Sequence, residues 1–335
     1  MRNIILPMLL IFSMLWGCKT DQGNRQKSTI ENYWNTLDSS GFSVYLGNAI
    51  NEQKTINTFI TADLETEPVH APKGIDAADD PAIWINKENP EKSLILGTNK
   101  KAGLHVYDMN GKELQFLPVG CLNNVDLRDD FYFNNKNVVL VASSNCTLNT
   151  ISLFYIDKNT LTVSDTILNI KSAINSVYGL CMYKSQKTGK FYVFVNGKGA
   201  EVEQWEILTH NNELDANLVH EFSVNSKPEG MVADDESGWL FIGVEEEGIL
   251  KTNADPHSEF YTNWLAGSIP DQNKSVSSDI EGLALYKTTD RTYLVASSQG
   301  NFSFAIFELG ETERYLFSFV IKDGKIDGAE ETDGI

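Results

Sequence analysis

A short pattern recurs six times along the chain, and it limits the possible folds more than any other feature of the sequence. Each copy sets an acidic or polar residue beside a small apolar run, and the copies lie at Asp80, Asp126, Tyr178, Glu229, Glu281 and Asp333. The interval is roughly fifty residues, which is typical of a propeller blade. We therefore predict an all-β fold, a six-bladed β-propeller of four-stranded antiparallel blades. Because the chain stops at Ile335, just after the sixth copy, we expect the last blade to be incomplete.

The sequence between these copies has the pattern of strands and turns. From Phe42 onward, short apolar or alternating runs are separated by Gly, Asn and Asp, and no long helical stripe interrupts them. The segment from Phe42 to Asp63 is a candidate for one strand of the incomplete blade, since propellers commonly close by joining their two ends.

The start of the chain has the layout of a cleaved export signal. Arg2 precedes an apolar run that ends at Gly17 and Cys18, and this run is too short to span a bilayer. Since a cysteine after a small residue is typical of bacterial lipoproteins, we expect lipidation of Cys18; the alternative is a plain signal peptide with a coincidental cysteine. The predicted organisation is a signal peptide at 1–18, a polar tether at 19–40 and a propeller domain at 41–335. We expect an exported monomer, anchored by lipid to the periplasmic or cell-surface face of a bacterial membrane.

Charge and cysteine content narrow the classes of ligand. The formal net charge is -19 and the pI is about 4.6, which argues against nucleic acid or an anionic membrane surface as a direct partner and favours divalent cations. Beyond Cys18 the chain has Cys121, Cys146 and Cys181, an odd number at irregular spacings. This pattern predicts neither a disulfide framework nor a zinc site.

Charged residues fall at two equivalent positions of the repeat, the start of the first strand and the turn after the second strand. In an antiparallel blade both positions lie at one sheet edge, so we expect them to meet on one face near the propeller axis. The acidic members are Asp79, Asp80, Glu229, Glu245, Asp279, Glu281 and Asp333. Carboxylates crowded in this way favour a bound cation, and oxygen ligands without sulfur or imidazole favour calcium or magnesium. Calcium is preferred because its coordination is flexible.

Basic and phenolic side chains occupy the same registered positions. They are Lys100, Lys101, Arg128, Tyr178 and Lys198. Cations beside metal-binding carboxylates suit a polyanionic ligand such as a phosphate ester, which metal ions and Lys or Arg can hold together. Taken singly, the lysines could be solvated turn residues and Tyr178 a core residue; their shared register favours a binding face.

Several segments of the chain resemble the β-propeller (alkaline) phytases, in the order found in that family from about Glu65 to Ile335. The most specific are Asp76-Ala-Ala-Asp-Asp-Pro-Ala-Ile-Trp84, Thr98-Asn-Lys-Lys101, Leu122-Asn-Asn-Val-Asp-Leu-Arg128, Val177-Tyr-Gly179, Glu229-Gly-Met-Val-Ala-Asp-Asp-Glu236, Asp279-Ile-Glu-Gly282 and Ala296-Ser-Ser-Gln-Gly-Asn301. The resemblance implies a calcium-dependent phosphomonoesterase that hydrolyses inositol hexakisphosphate, as its calcium complex, through attack by a metal-activated water.

The resemblance also implies roles for individual residues. Calcium ligands around the scissile phosphate are implied at Asp80, Glu229, Glu245, Asp279, Glu281 and Asp333, with Glu65 a weaker candidate. Contacts to that phosphate are implied at Lys100, Tyr178 and Lys198, and contacts to a second phosphate at Lys101, Asn124 and Arg128. Positions tied to structural calcium are Gln299 and Asp327. Of these, Glu229, Glu245, Asp279, Glu281, Lys100, Lys198 and Tyr178 form the predicted catalytic set.

Two departures from the family and two rival functions accompany this prediction. Cys146 stands where the family usually has a phosphate-binding arginine, and the family's closing calcium-binding segment is absent. One rival is a calcium-dependent lactonase or esterase on a six-bladed propeller, which would need few cations around its metal. The other is a non-catalytic surface propeller that binds calcium or a glycan.

Overall fold

The structure of the protein, a computed structural model, describes residues 39–69, 71–72, 75–259 and 261–335. The predicted signal peptide, Cys18 and the predicted tether up to residue 38 lie outside these ranges. No helix within the described ranges is long and apolar enough to cross a membrane.

Twenty-two strands, β1 to β22, form five sheets, and each sheet is one blade of a propeller-like fold. Blade 1 contains β2 (Ala78–Trp84), β3 (Leu94–Asn99), β4 (Gly103–Tyr107) and β5 (Glu113–Leu117). Blade 2 contains β6 (Leu122–Phe133), β7 (Lys136–Asn145), β8 (Thr150–Asp157), β9 (Thr162–Val163) and β10 (Leu168–Lys171), with β9 and β10 both paired to β8. Blade 3 contains β11 (Val177–Lys184), β12 (Phe191–Gly197), β13 (Glu201–His210) and β14 (Glu213–Ser223). Blade 4 contains β15 (Pro228–Asp234), β16 (Trp239–Val244), β17 (Gly248–Asn253) and β18 (Thr262–Trp264). Blade 5 contains β19 (Ile280–Lys287), β20 (Thr292–Ser298), β21 (Ser303–Leu309) and β22 (Arg314–Lys322).

The all-β, propeller-like architecture with four-stranded antiparallel blades is confirmed, but the described residues form five blades and not the six that the repeat predicts. The sixth copy of the pattern has only Asp333 to Ile335, too few residues for a strand pair. These residues nevertheless lie between blades 5 and 1, because the Gly282 amide donates to the Asp333 carbonyl (3.3 Å) and Gly334 packs on Asp80.

The start of the domain differs from the predicted strand pattern. Ser39–Gln53 forms a helix, α1, followed by the short strand β1 (Thr58–Thr61). The spacing of Tyr45 and Ala49 suits one helical face, but the chain here is short and contains Gly47, so no helical stripe stands out. Strand β1 pairs in parallel with β22, the outer strand of blade 5. The segment therefore does supply a strand, to the fifth blade and not to a sixth.

Four apolar clusters fill the interfaces between consecutive blades. Between blades 2 and 3, for example, Leu140 and Leu153 pack with Leu180 and Val193, all of them buried. Burying one such side chain contributes about 1.5–3 kcal/mol. The apolar runs that predict the strands therefore also join each blade to its neighbour, and central strands such as β4 and β12 are buried along their whole length.

Cys121 and Cys146 form a disulfide with their Cα atoms 5.4 Å apart, whereas Cys181 is free and buried. The sequence implied no disulfide framework and left this pairing open. An odd count hides the pair, because the two cysteines meet only when the start of β6 pairs with the end of β7. The disulfide closes this hairpin at the same blade edge as Asn124.

Candidate active site

The first strand of every blade has the same irregularity at its start. The pairing register shifts between Ala78 and Pro81, Leu122 and Val125, Val177 and Leu180, Pro228 and Met231, and Ile280 and Leu283. A β-bulge bends a strand and turns its side chains away from the regular alternation. The residues within the bulges are Asp79 and Asp80, Asn123 and Asn124, Tyr178, Glu229 and Glu281. The bulges thus explain why these side chains can meet near the axis.

Glycines follow the polar residue in several bulges because neighbouring blades touch there. A Cβ atom at Gly179 would lie 1.9 Å from the carbonyl oxygen of Glu229, and one at Gly230 would lie 2.0 Å from that of Glu281. A Cβ atom at Gly334 would lie 2.2 Å from Oδ1 of Asp80. Only glycine permits these approaches. The glycine that follows the polar residue therefore lets the first strands of neighbouring blades lie in contact at their starts.

The predicted acidic residues form two groups that share Glu229. Oxygens of Asp79, Glu229 and Asp333 lie within 4.8 Å of one another, and so do oxygens of Glu229, Glu245 and Glu281. Glu229, Glu245 and Glu281 are at most 5% exposed. Asp279 is also buried, and its amide donates to the Glu245 carbonyl (2.8 Å), which places it beside the second group.

Burial and mutual repulsion shift the titration of these carboxyl groups. Burial raises the pKa of Asp79 and of Glu281, and the nearby carboxylates Asp333 and Glu229, respectively, raise it further. Burial would also raise the pKa of Glu229, but a hydrogen bond with Glu281 and the charge of Lys227 outweigh it and lower the pKa. Without metal, the two shifts thus favour the ionised form of Glu229 and the protonated form of Glu281.

Three lysines balance part of this negative charge. Lys100 Nζ lies 2.9 Å from Asp76 Oδ2 and 2.7 Å from Asp333 Oδ2. The ammonium groups of Lys198 and Lys227 lie 4.5 Å and 4.6 Å from the centroid of the Tyr178 ring, within cation–π range. The predicted phosphate contacts Lys100, Tyr178 and Lys198 thus adjoin the acidic groups.

Sequence reasoning missed Lys227 as a site residue, and it singled out Asp76 only as part of the acidic motif Asp76–Trp84. Lys227 forms an ion pair with Glu245, and neighbouring carboxylates raise its pKa although burial opposes this. It lies in the loop before β15, outside the registered positions. Its only sequence signal is its place two residues before Glu229.

Helix α1 was also missed, and it lies beside the site. The Tyr45 ring packs edge-to-face on Phe302 at 6.3 Å, Glu52 accepts a hydrogen bond from Ser277 Oγ (3.0 Å), and Gln53 Nε2 donates to the Phe302 carbonyl (3.1 Å). Burial, and then the charge of Asp279, raise the pKa of the Tyr45 phenol. The helix thus packs on Ser277, two residues before Asp279, and on Phe302.

Other predicted residues lie at the same blade edges without joining the two groups. Asp80 accepts a hydrogen bond from the Val125 amide (2.9 Å), so it links blades 1 and 2. Asn124 is buried, and its amide donates to Ser144 Oγ (3.0 Å). The exposed Lys101 follows Lys100 in the same turn.

Gln299 adjoins Asp279 and the end of the chain. Its amide donates to the Asp279 carbonyl (2.9 Å), and its Nε2 donates to the Thr332 carbonyl (3.2 Å). Its side chain is thus beside the acidic residues but already has a protein partner.

The structure does not bring Glu65, Asp327 or Arg128 to the acidic groups. The backbone of Glu65 packs on Gly111, in the turn between β4 and β5 at the opposite end of blade 1. Asp327 is exposed in the turn after β22. Both lie in irregular segments, whose course the repeat does not predict.

Arg128 has protein partners on three blades. Its Nη1 donates to Asp126 Oδ1 (2.9 Å), its Nε pairs with Asp235 Oδ2 (2.9 Å), and its Nη2 donates to the Met182 carbonyl. Asp235 follows β15 at the far end from Glu229, so the Arg128 side chain is held at that end of blade 4. Arg128 therefore lies beyond the bulge, which ends at Val125, and its contact to a second phosphate stays a prediction.

Comparison with known proteins identifies the family of this chain. The sequence pattern of the family described as Phytase matches residues 33–335. A 3-phytase from Bacillus subtilis (strain 168) is 46% identical over 286 residues, which cover 82% of this chain and 73% of that protein. Among solved structures, a putative 6-phosphogluconolactonase from Bacteroides uniformis has a TM-score of 0.49 and 14% identity over 71% of this chain and 70% of that one. A functionally unknown protein from Desulfotomaculum acetoxidans has a TM-score of 0.48 and 15% identity over 79% and 76%. Likenesses this distant say nothing about function. The Phytase family pattern matches most of this chain, and the 3-phytase is 46% identical to it. These two findings show that the chain belongs to the phytase family.

Proposed function

We propose that this protein is a calcium-dependent phytase, which hydrolyses phosphate monoesters of inositol hexakisphosphate, bound as the calcium complex, to lower inositol phosphates and phosphate. One observation carries the proposal. Two groups of buried carboxylates share Glu229, Lys100 pairs with Asp333 of one group, and Lys198 lies over the adjoining Tyr178 ring. Family membership and the related 3-phytase support phytate as the substrate.

The residues present fit calcium. The donor set consists of carboxylates, with no sulfur or imidazole ligand, and oxygen ligands from separate blades suit calcium's flexible coordination. Among the residues that the structure describes, Oε2 of Glu229 and Oε2 of Glu281 are buried without a hydrogen-bond partner. Such atoms are costly to bury unless a ligand satisfies them. Calcium bound there would neutralise phosphate oxygens and lower the pKa of an attacking water.

The side chains around these groups would position the phosphate. Lys100 and Lys198 can donate charge-assisted hydrogen bonds to phosphate oxygens. Tyr178 lies between Lys198 and the carboxylates: its ring faces the Lys198 ammonium, and burial, followed by the charge of Glu229, raises the pKa of its hydroxyl. Glu281 would release its proton when the site is loaded, since a metal ligand must be ionised.

A phosphate-release assay with calcium phytate tests the proposal. We expect release by the parent protein, a loss of at least about 100-fold in Glu229→Ala and about 10-fold in Lys198→Ala, and no change in Lys274→Ala, an exposed control. A chelator should abolish release and lower the melting temperature together. Turnover that survives the chelator would contradict calcium dependence. Absence of release by the parent protein would favour a lactonase or esterase, or a non-catalytic calcium- or glycan-binding propeller.

We further propose that the protein is exported, lipidated at Cys18 and monomeric. The support is the signal-like stretch before Cys18, and mass spectrometry of the membrane fraction would test it through the lipid mass on an N-terminal cysteine.

A further inference from the structure

Lys227 is the one lysine of the site that neither the repeat nor the family resemblance assigns. It ion-pairs with Glu245, a member of the group Glu229, Glu245 and Glu281, and its ammonium lies 4.6 Å from the centroid of the Tyr178 ring. Its side chain is 11% exposed and that of Glu245 is 1% exposed. The pair is therefore largely removed from water. Charge–charge interactions are stronger in such a buried site than in water.

The position of this ammonium conflicts with a divalent cation. The three carboxylates have oxygens within 4.8 Å of one another, so an ion among them would contact the Glu245 carboxylate that Lys227 already holds. Two positive charges a few ångströms apart in a buried site repel by several times the thermal energy. Lys227 must leave Glu245 before a divalent ion can bind all three carboxylates at full strength.

The ring of Tyr178 gives the ammonium a second partner beside Glu245. Lys227 and Lys198 both lie within 4.6 Å of the ring centroid, so Lys227 can move off Glu245 and keep a favourable contact with the ring. Its stem starts only two residues before Glu229, which keeps the charge near the site in either position.

We propose that Lys227 is a tethered counter-cation for Glu229, Glu245 and Glu281, which stabilises the metal-free site and competes with the divalent ion for Glu245. The proposal rests on the proposed calcium binding. It makes Lys227 a positioning residue that sets calcium affinity, and it predicts that removing its charge strengthens calcium binding.

Calcium titration calorimetry without substrate tests this proposal. Lys227→Met removes the charge and keeps an unbranched stem, and we expect it to bind calcium at least tenfold more tightly than the parent protein. Without calcium its melting temperature should be lower than that of the parent, and saturating calcium should remove or reverse this difference. The matched control is Lys251→Met. Lys251 also pairs with a glutamate, Glu313, and lies over an aromatic ring, 4.0 Å from the Trp239 centroid, so its loss should leave calcium affinity unchanged.

The outcomes separate this proposal from the proposed function. Equal or weaker calcium binding by Lys227→Met, with binding retained by the parent, overturns the role of Lys227 alone. Absence of calcium binding in the parent and in all variants overturns both. Lys227→Arg retains the charge, and tenfold tighter binding in that variant would also overturn the proposal. If Lys227→Met folds poorly, Lys227→Gln replaces it with the same expected gain.

Discussion

Lys100 Nζ lies 2.7 Å from Oδ2 of Asp333, although 233 residues separate the two in the chain. Lys100 follows the second strand of blade 1, and Asp333 belongs to the last residues of the chain. The contact therefore places the end of the chain against blade 1, and it makes Asp333 a member of the group with Asp79 and Glu229.

The first prediction concerns Asp333→Asn. The variant removes one of three carboxylate ligands while retaining size and polarity, so calcium affinity should fall by at least about tenfold, or roughly 1.4 kcal/mol. Calcium titration calorimetry measures the change. Asp271→Asn is the control, because Asp271 is fully exposed and should leave affinity unchanged. Equal affinities in Asp333→Asn and in the parent would show that Asp333 is not a calcium ligand.

The second prediction concerns the glycine contacts between blades. In Gly230→Ala the new Cβ atom would lie 2.0 Å from the Glu281 carbonyl oxygen, so the backbone must shift, and we expect a loss of about 3 kcal/mol in the free energy of unfolding. Gly47→Ala should instead raise stability by up to about 1 kcal/mol, because Gly47 lies in helix α1 with open space around it. Urea unfolding compares the two, and a neutral Gly230→Ala would contradict the close packing.

The strand-and-turn pattern and the register of the repeat could be predicted from sequence because they are local and periodic. The same register placed Glu229, Glu245, Glu281 and Asp333 together, since equivalent positions of successive blades meet at the axis. The position of Lys227 and the helical form of α1 depend instead on tertiary contacts, which a single sequence does not show. Lys227 reaches Glu245 from an irregular loop, and α1 is a helix in a segment whose short runs are also compatible with strands.

The sequence also does not show which residues of β6 lie at the blade edge and which lie between blades. Arg128 and Asn124 lie four residues apart in one strand, but a bulge turns Asn124 to the blade edge while Arg128 lies among three blades. Bulges depend on pairing with the next strand, which a single sequence does not display.

The third prediction concerns the disulfide. It closes a loop with a sequence separation of 25 residues, and its loss should lower the free energy of unfolding by about 3 kcal/mol. The double variant Cys121→Ser, Cys146→Ser and reduction of the parent protein should give the same loss in urea unfolding, and reductant should not affect the double variant. Peptide mapping that finds Cys121 and Cys146 unlinked under oxidising conditions would contradict the structure.

The fourth prediction separates a structural role of Arg128 from substrate binding. Arg128→Met leaves the carboxylates of Asp126 and Asp235 without their shared cation, so stability should fall by about 3–5 kcal/mol. Arg291→Gln, at an exposed ion pair with Glu308, should cost less than about 1 kcal/mol. If Arg128→Met kept its stability but had a higher KM for phytate, Arg128 would be a substrate ligand after all.

The last prediction is the pH dependence of stability without metal. Burial, and then the charge of Glu229, raise the pKa of Asp333 from 3.8 to about 6, and burial raises those of Asp79 and Glu281. In the unfolded chain these carboxyl groups have pKa values of about 4. At pH values between about 4 and the raised pKa values, the folded protein binds more protons than the unfolded chain. The free energy of unfolding in chelator should therefore fall as pH rises through this window, by about 3 kcal/mol from Asp333 alone.

Calcium should flatten this dependence, because bound metal keeps the carboxylates ionised in the folded state. Carboxyl groups with lowered pKa values, such as Asp129, change the stability only below about pH 4. They therefore do not oppose this trend. Urea unfolding from pH 4 to pH 8, with chelator and with calcium, measures both effects, and Asp333→Asn should lose its share of the slope. Stability in chelator that rises over this range would mean that the carboxyl groups of the site are already paired without metal.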